Sequence, residues 1–259
     1  MSDALHSIPP DEIRRLEALG AEAWPASEVQ HLDGWQLGLS VGVSRRANSL
    51  LPLGPLTGRG LDDAIDEVEW RYASHGLTPC FKMTGAALPA ELGAALDRRR
   101  YSIEQHSQVL TADAAAVAAQ EDGSHGVHML DAPEAHWAAT CWPPGGDGNE
   151  AAGRFAIAKR LPEPRVFALA ELGGAAGGAG LAVAQGDWAC LAAINVLPDF
   201  RRRGLAKAIV TALAAWAVER EVRRLYLQVK VSNAPARRLY DQLGFHFAYA
   251  YHYRMPPRR

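Results

Sequence analysis

The segment Val196–Ala206, VLPDFRRRGLA, concentrates residue types that can hold a phosphate. An apolar run ends at Val196, Pro198 and Asp199 turn the chain, and Arg201 to Ala206 lead into a helix-spaced stretch. The first amides of a helix lack intrahelical acceptors and point outward, and the helix dipole puts partial positive charge there. Gly204 and the small Ala206 let a ligand come close to the main chain. Arg201, Arg202, Arg203 and Lys207 add cations around it. Together these describe a cradle for a diphosphate. The bland alternative is a basic helix start on a solvated surface, and this segment alone leaves both open.

Further along, Val229–Phe245 reads VKVSNAPARRLYDQLGF. Arg201, Gly204 and Ala206, following Val196-Leu197-Pro198, fit the pattern (Arg or Gln)-x-x-Gly-x-(Gly or Ala). Asn233, Ala236, Leu239-Tyr240 and Leu243-Gly244-Phe245 fit a second pattern. With both, residues 165–255 resemble the GNAT superfamily of acetyl-CoA-dependent N-acetyltransferases; the likeness runs more loosely from 127. The resemblance implies a role for each matching position. The backbone of Ile194, Asn195 and Val196 would pair with the pantetheine arm, as an added strand does. Arg201 and the amides of Arg202, Arg203, Gly204, Leu205, Ala206 and Lys207 would hold the diphosphate. Asn233 would hydrogen-bond the donor near its thioester, and Tyr240 would protonate the departing thiolate. A thiol pKa of about 8.5 makes the thiolate a leaving group that an acid improves.

The implied reaction moves an acetyl group directly to a primary amine of a small molecule or a protein. The amine must lose a proton before it attacks. Many relatives carry a Glu five residues before the Asn; here Gln228 stands there and cannot act as a base. The base is therefore unassigned, with Glu171, a water chain or an already neutral amine as candidates. A backbone amide near Val196 would stabilise charge on the carbonyl oxygen. Gln228 also motivates the rival expectation of a non-catalytic acyl-CoA-binding regulatory module. A structural protein with both halves degenerate is a third.

These residues need elements to position them. Trp188–Val196 reads as a buried strand, and Leu205, Ile209, Leu213 and Trp216 recur at helical spacing. Leu225, Leu227, Val229 and Val231 alternate as a strand does, and Asn233–Leu243 reads as a helix closed by Gly244. Phe245–Met255 is an aromatic closing strand. Upstream, Val127–Leu130, Val166–Leu172 and Gly180–Ala184 read as strands, and Glu134–Cys141 and Glu150–Leu161 as helices. Gly173–Gly180 matches no nucleotide fingerprint and reads as a flexible hairpin tip.

The first part of the chain carries a faded copy of the last. Shifted by 144 positions, Arg59-Gly60-Leu61 falls on Arg203-Gly204-Leu205, Ala64-Ile65 on Ala208-Ile209, and Tyr101 on Phe245. The copy lacks the chemistry: Asp62 stands where Ala206 does and is followed by Asp63, Pro89 replaces Asn233, and Leu96 replaces Tyr240. Carboxylates in the first helical turn occupy the electrostatic place of a phosphate. The expected architecture is α/β, with two tandem GNAT-like mixed-sheet units. Residues 1–115 form a degenerate domain that binds no acetyl-CoA, and 125–259 form the competent one.

Composition narrows the partners. The 259 residues include 27 Lys+Arg and 29 Asp+Glu, a net charge of −2 that argues against a nucleic-acid-binding surface. No apolar run approaches the ~20 residues of a membrane span, and Met1-Ser2-Asp3 opens no secretory signal. Cys80, Cys141 and Cys190, odd in number and widely spaced, fit a reduced cytoplasm. His125 with His128, and His246 with His252, lack neighbours at metal-ligand spacing, so no metal is expected. Arg98-Arg99-Arg100 reads as a solvated helix end. Trp137 and Trp142 read as packing or as aromatic walls of an acceptor pocket. Oligomeric state leaves no mark in the sequence.

Overall fold

The computed structural model describes residues 7–40, 43–121, 123, 125–143 and 148–257. Apolar periodicity becomes, in chain order, α1 (Pro10–Glu22), β1 (Glu28–Leu32), β2 (Trp35–Leu39), β3 (Leu50–Pro52), α2 (Leu61–Ser74), β4 (Phe81–Thr84), α3 (Leu92–Arg98) and β5 (Ser102–Asp113). Then follow α4 (Ala114–Ala118), β6 (Val127–Leu130), α5 (Ala135–Cys141), α6 (Gly148–Ala158), β7 (Arg165–Leu172), β8 (Ala175–Gln185) and β9 (Trp188–Val196). The chain ends with α7 (Leu205–Val218), β10 (Arg224–Lys230), α8 (Ala234–Gln242) and β11 (His246–Met255). No helix among the described residues is long and apolar enough to cross a membrane. All three cysteines are buried and none forms a disulfide.

The elements fall into two compact units. One holds the described residues up to Gln108, Lys230–Ser232 and those from Ala248 on; the other holds Val109–Val229 and Asn233–Phe247. Most of β11, which the sequence places with residues 125–259, thus counts with the first unit. The reason is its antiparallel pairing with β4, Tyr251 opposite Thr84 and Arg254 opposite Phe81.

In the first unit β1, β2 and β3 run antiparallel in succession and β3 pairs with β4 in parallel. Ile65, Val68 and Tyr72 of α2 pack with Trp35, Phe81 and Tyr101. Glu17 and Lys82 form a buried ion pair at 2.7 Å, and the Tyr249 hydroxyl donates to Glu17 Oε1 at 2.7 Å. Taking either charge away would strand the other in a dry interior. At the start of α2, Gly60 is extended (φ −70°, ψ 154°). Arg99 bridges Asp62, Asp66 and Glu69 along the helix. The acidic first turn is therefore tied to a cation of the unit's own, and Arg99 is a structural ion-pair residue.

In the second unit β6, β7, β8 and β9 form an antiparallel meander, and β10 joins β9 in parallel. Leu205, Ile209, Val210, Leu213 and Trp216 of α7 pack on Val166, Ala168, Ala182, Leu191 and Leu225. The Gly/Ala run departs from expectation. Only Gly173 and Gly174, both with positive φ, make the hairpin turn; Ala175–Gln185 is strand. Its glycines clear space for α7. A Cβ on Gly178 would lie 2.8 Å from Ile209 Cδ1, and one on Gly180 would lie 2.8 Å from Ile209 Cγ2. A Cβ on Gly177 would strike the Phe200 ring. Bare strand backbone is what lets the helix approach. Gly180→Ala should destabilise the protein by about 1–3 kcal/mol through overpacking. That exceeds the ~0.4–1 kcal/mol an alanine returns by restricting the unfolded chain. Denaturant unfolding with unchanged or raised stability would refute this packing account.

The sequence offset reappears in the elements. α2 and α7 begin 144 residues apart (Leu61, Leu205) and end 144 apart (Ser74, Val218). β5 and β11 begin at the same interval (Ser102, His246).

Candidate active site

The site is built where β9 and β10 part. Their parallel ladder joins Trp188–Leu191 to Arg224–Leu227 and goes no further, although both strands continue. On the other edge of β9, Ala192 pairs with Leu181 and Asn195 with Ala179, so Ala193 and Ile194 together oppose Gly180. Ala193 takes φ 53°, unusual for a residue with a Cβ. This is a β-bulge, which bends a strand and increases its twist. Two contacts hold the bent segment to α5: Asn195 Nδ2 donates to the Thr140 carbonyl at 2.8 Å, and Cys141 Sγ donates to the Ala193 carbonyl at 3.3 Å.

Beyond β9, Pro198–Phe200 form one tight 3-10 turn. Arg201 is extended (φ −68°, ψ 157°), and its Nε donates to the Val196 carbonyl at 3.1 Å. Arg202 (φ 59°) and Gly204 (φ 88°) are both left-handed. Left-handed residues alternating with others turn successive amides to one side, the geometry of anion-binding concavities. Gly204 is the N-cap of α7 and supplies no side-chain cap. The opening amides of α7 thus have no side-chain acceptor from the cap position. The His125 ring lies against Gly204: a Cβ there would be 2.8 Å from His125 Cε1.

Across the opening, α8 starts at Ala234 and Asn233 is its cap, accepting from the Ala236 amide at 3.3 Å. Oδ1 is thus committed to the helix, while Nδ2 has no partner among the described residues. Tyr240, seven residues on, is buried and packs at 5.7 Å from the Phe245 ring. Burial pushes its phenol up to about 12, so it stays protonated through the neutral range.

A cleft of about 770 Å³ joins these parts. Ile194, Asn195, Val196, Arg201, Arg202, Gly204, Leu205, Ala206, Lys207, Asn233 and Tyr240 all line it. Arg203 does not: it is exposed and outside the lining. Ala236 and Leu239 of the second sequence pattern line it as well, as do Phe200, Pro235, Arg238 and Gln242, to which the sequence assigned no part in a site. For Pro235, Arg238 and Gln242 the signal was available, since three- and four-residue spacing from Pro235 puts all of them on one helix face. Glu171 lies outside the lining, with His128 Nε2 3.6 Å from its carboxylate. Trp137 is fully buried, its Nε1 near the Ala168 and Gly180 carbonyls at 3.1 and 3.0 Å, so it is core and not a pocket wall. Among the described residues no group of three or more His, Cys, Asp or Glu is placed to hold a metal ion.

A mixed sheet whose parallel strands part at a bulge, followed by a helix that opens on a Gly-x-Ala turn, is the fold of the GNAT N-acetyltransferases, a class of acyltransferase. The chain belongs within it to the family described as "Probable histone acetyltransferase Rv0428c C-terminal", whose model it matches over residues 11–254. It is 28% identical to "Uncharacterized N-acetyltransferase YobR" of Bacillus subtilis, over 95% of this chain and 99% of that one. A stretch of 62 residues, 24% of this chain and 42% of the relative, is 44% identical to the [Ribosomal protein bS18]-alanine N-acetyltransferase of Escherichia coli. Among solved structures, a GCN5-related N-acetyltransferase from Kribbella flavida shares the fold at a TM-score of 0.74 and 15% identity, covering 96% of both chains. A tandem GNAT protein from the clavulanic acid biosynthesis pathway does so at 0.64 and 12%, covering 94% of this chain and 89% of its own.

Proposed function

We propose that the chain transfers an acetyl group from acetyl-CoA to a primary amine of a small molecule or a protein. The second unit would do the chemistry, and the first would be a degenerate copy of it. One observation carries the reading: the turn Arg201–Gly204 and the start of α7 face a cleft that runs on to a buried, protonated tyrosine. Diphosphate, pantetheine and thioester each find their complement along it. The amides from Arg202 to Lys207 would take the diphosphate. The free edge of Ile194–Val196 would take the pantetheine amides. Asn233 Nδ2 would donate near the thioester.

In the reaction the amine nitrogen bonds to the thioester carbonyl carbon and the carbon–sulfur bond breaks. Tyr240 would deliver its proton to the sulfur, and an amide in the bent part of β9 would face the negative charge growing on the carbonyl oxygen. Gln228 holds the place of a base without being one, so the amine's proton would leave to water or be lost beforehand. The 144-residue offset supports the duplication, and Arg99 among the α2 carboxylates supports the loss of donor binding by the first unit. The relative named for a ribosomal protein supports a protein amine as one acceptor class. Three buried thiols fit the reducing cytoplasm.

Gln228 also favours a second reading, an acyl-CoA-binding regulatory module without turnover. Incubation with acetyl-CoA and a panel of amines and amine-bearing peptides separates the two. Thiol release that depends on an amine is the expected result. Binding of acetyl-CoA with no release for any acceptor would establish the regulatory module. A melting temperature that millimolar acetyl-CoA leaves unmoved would exclude both.

A further inference from the structure

α5 holds the bulge of β9 and the strand opposite it. Cys141 Sγ donates to the Ala193 carbonyl, and Trp137 Nε1 lies 3.0 Å from the carbonyl of Gly180, the residue that opposes the bulge from β8. Trp137 and Cys141 are four residues apart and so share one face of α5. In the other direction the Asn195 side chain donates to the Thr140 carbonyl. The last carbonyls of a helix have no intrahelical partner. Asn195 therefore closes the end of α5 while α5 grips the bend of β9.

The bend needs that grip. Ala193 keeps its left-handed φ of 53° only because the surroundings enforce it. β10 has already left this stretch, since the parallel ladder ends at Leu191 and Leu227. The grip also has a direction. A trans peptide sets its C=O and N–H opposite one another, and the Ala193–Ile194 bond is trans. With the Ala193 carbonyl turned to Cys141, the Ile194 N–H points away from α5. Ile194 lines the cleft; Ala193 and Cys141 are not among its lining residues.

We propose that Asn195 is a positioning residue: by clamping the bent end of β9 to Thr140 it holds the Ile194 amide toward the carbonyl oxygen of a bound thioester. The clamp rests on the acetyl-CoA reading above and needs no contact between the Asn195 side chain and the donor.

Asn195→Leu tests it, because leucine keeps the size of the side chain and removes its hydrogen-bond donor. Calorimetry with acetyl-CoA reads binding. Isotope-difference infrared spectra of bound acetyl-CoA, labelled with carbon-13 at its carbonyl, read the aim of the amide, because a stronger hydrogen bond lowers the carbonyl frequency. Asn195→Leu should bind acetyl-CoA as tightly as wild type, with the carbonyl band moved to higher frequency. Amine-dependent thiol release should fall by about tenfold or more, up to the ~10²–10³ that loss of a whole oxyanion donor costs. A merely structural residue would lower the melting temperature and leave the band in place. Cys141→Ala, which takes away the donor on the Ala193 carbonyl, should move the band in the same sense and carries the test if Asn195→Leu does not fold. A band unmoved in the variant, or an affinity lost in step with it, overturns the clamp and leaves the acetyl-CoA reading standing. Failure of the wild type to bind acetyl-CoA overturns both.

Discussion

Gly204→Glu should abolish measurable acetyl-CoA binding. Two effects act at this position, and their sizes show which governs. Gly204 has φ 88°, where any L side chain costs roughly 1–2 kcal/mol. Its Cβ would also press on the His125 ring at 2.8 Å. These are costs to the loop, and Gly204→Ala shares them. Only the glutamate adds a negative charge at the cap of α7. Two unit charges ~4 Å apart near a protein surface repel by about 4 kcal/mol, nearly three powers of ten in affinity. Calorimetry should therefore find Gly204→Ala weakened and Gly204→Glu without a detectable isotherm. Affinity unchanged in Gly204→Glu would remove the diphosphate from this turn.

The parts of the site that were legible in the sequence are those fixed locally. The strand Trp188–Val196 and the first residue of α7, Leu205, stand where apolar spacing and Gly204 put them. The cleft then gathers residues from two segments that the sequence keeps far apart, Ile194–Lys207 and Asn233–Tyr240. The misreadings have a common cause, a residue whose type answers to a partner distant along the chain. Gly177, Gly178 and Gly180 read as a flexible tip because composition signals turn. They are strand glycines because Phe200 and Ile209 need the volume a Cβ would fill. Arg99 read as a solvated helix end, but carboxylates a full helix earlier in the chain bind it. Trp137, open in sequence to two roles, goes to the core because carbonyls of β7 and β8 receive its ring nitrogen. Neither the bulge at Ala193 nor its link to Thr140 through Asn195 leaves a mark in composition, since both depend on the register of β9 against β8.

Tyr240→Phe should lower turnover by about 10²–10⁴, the range of a general acid–base step, with the affinity for acetyl-CoA little changed. The ring stays and keeps its place against Phe245, so what is removed is one hydroxyl and its proton. A phenol with a pKa of about 12 is a weak acid for a thiolate in water. The environment that raises it also disfavours the thiolate, because both anions lose solvation in the same dry place. The pH dependence follows from the direction of the shift. Tyr240 is protonated at every pH below about 12, so it contributes no falling limb to a turnover profile up to pH 10. With Gln228 unable to titrate, the rising limb belongs to the amine, whose neutral fraction grows with pH. Tyr240→Phe should lower the whole profile without moving that limb. The same shift bears on stability. The phenol's contribution is intact below its unfolded value of about 10 and is lost as pH rises toward 12, because only the unfolded chain ionises it there. Alkaline unfolding between those limits should therefore be less steep in the phenylalanine variant. Turnover equal to wild type across the pH range would take Tyr240 out of the proton transfer and leave it a packing residue.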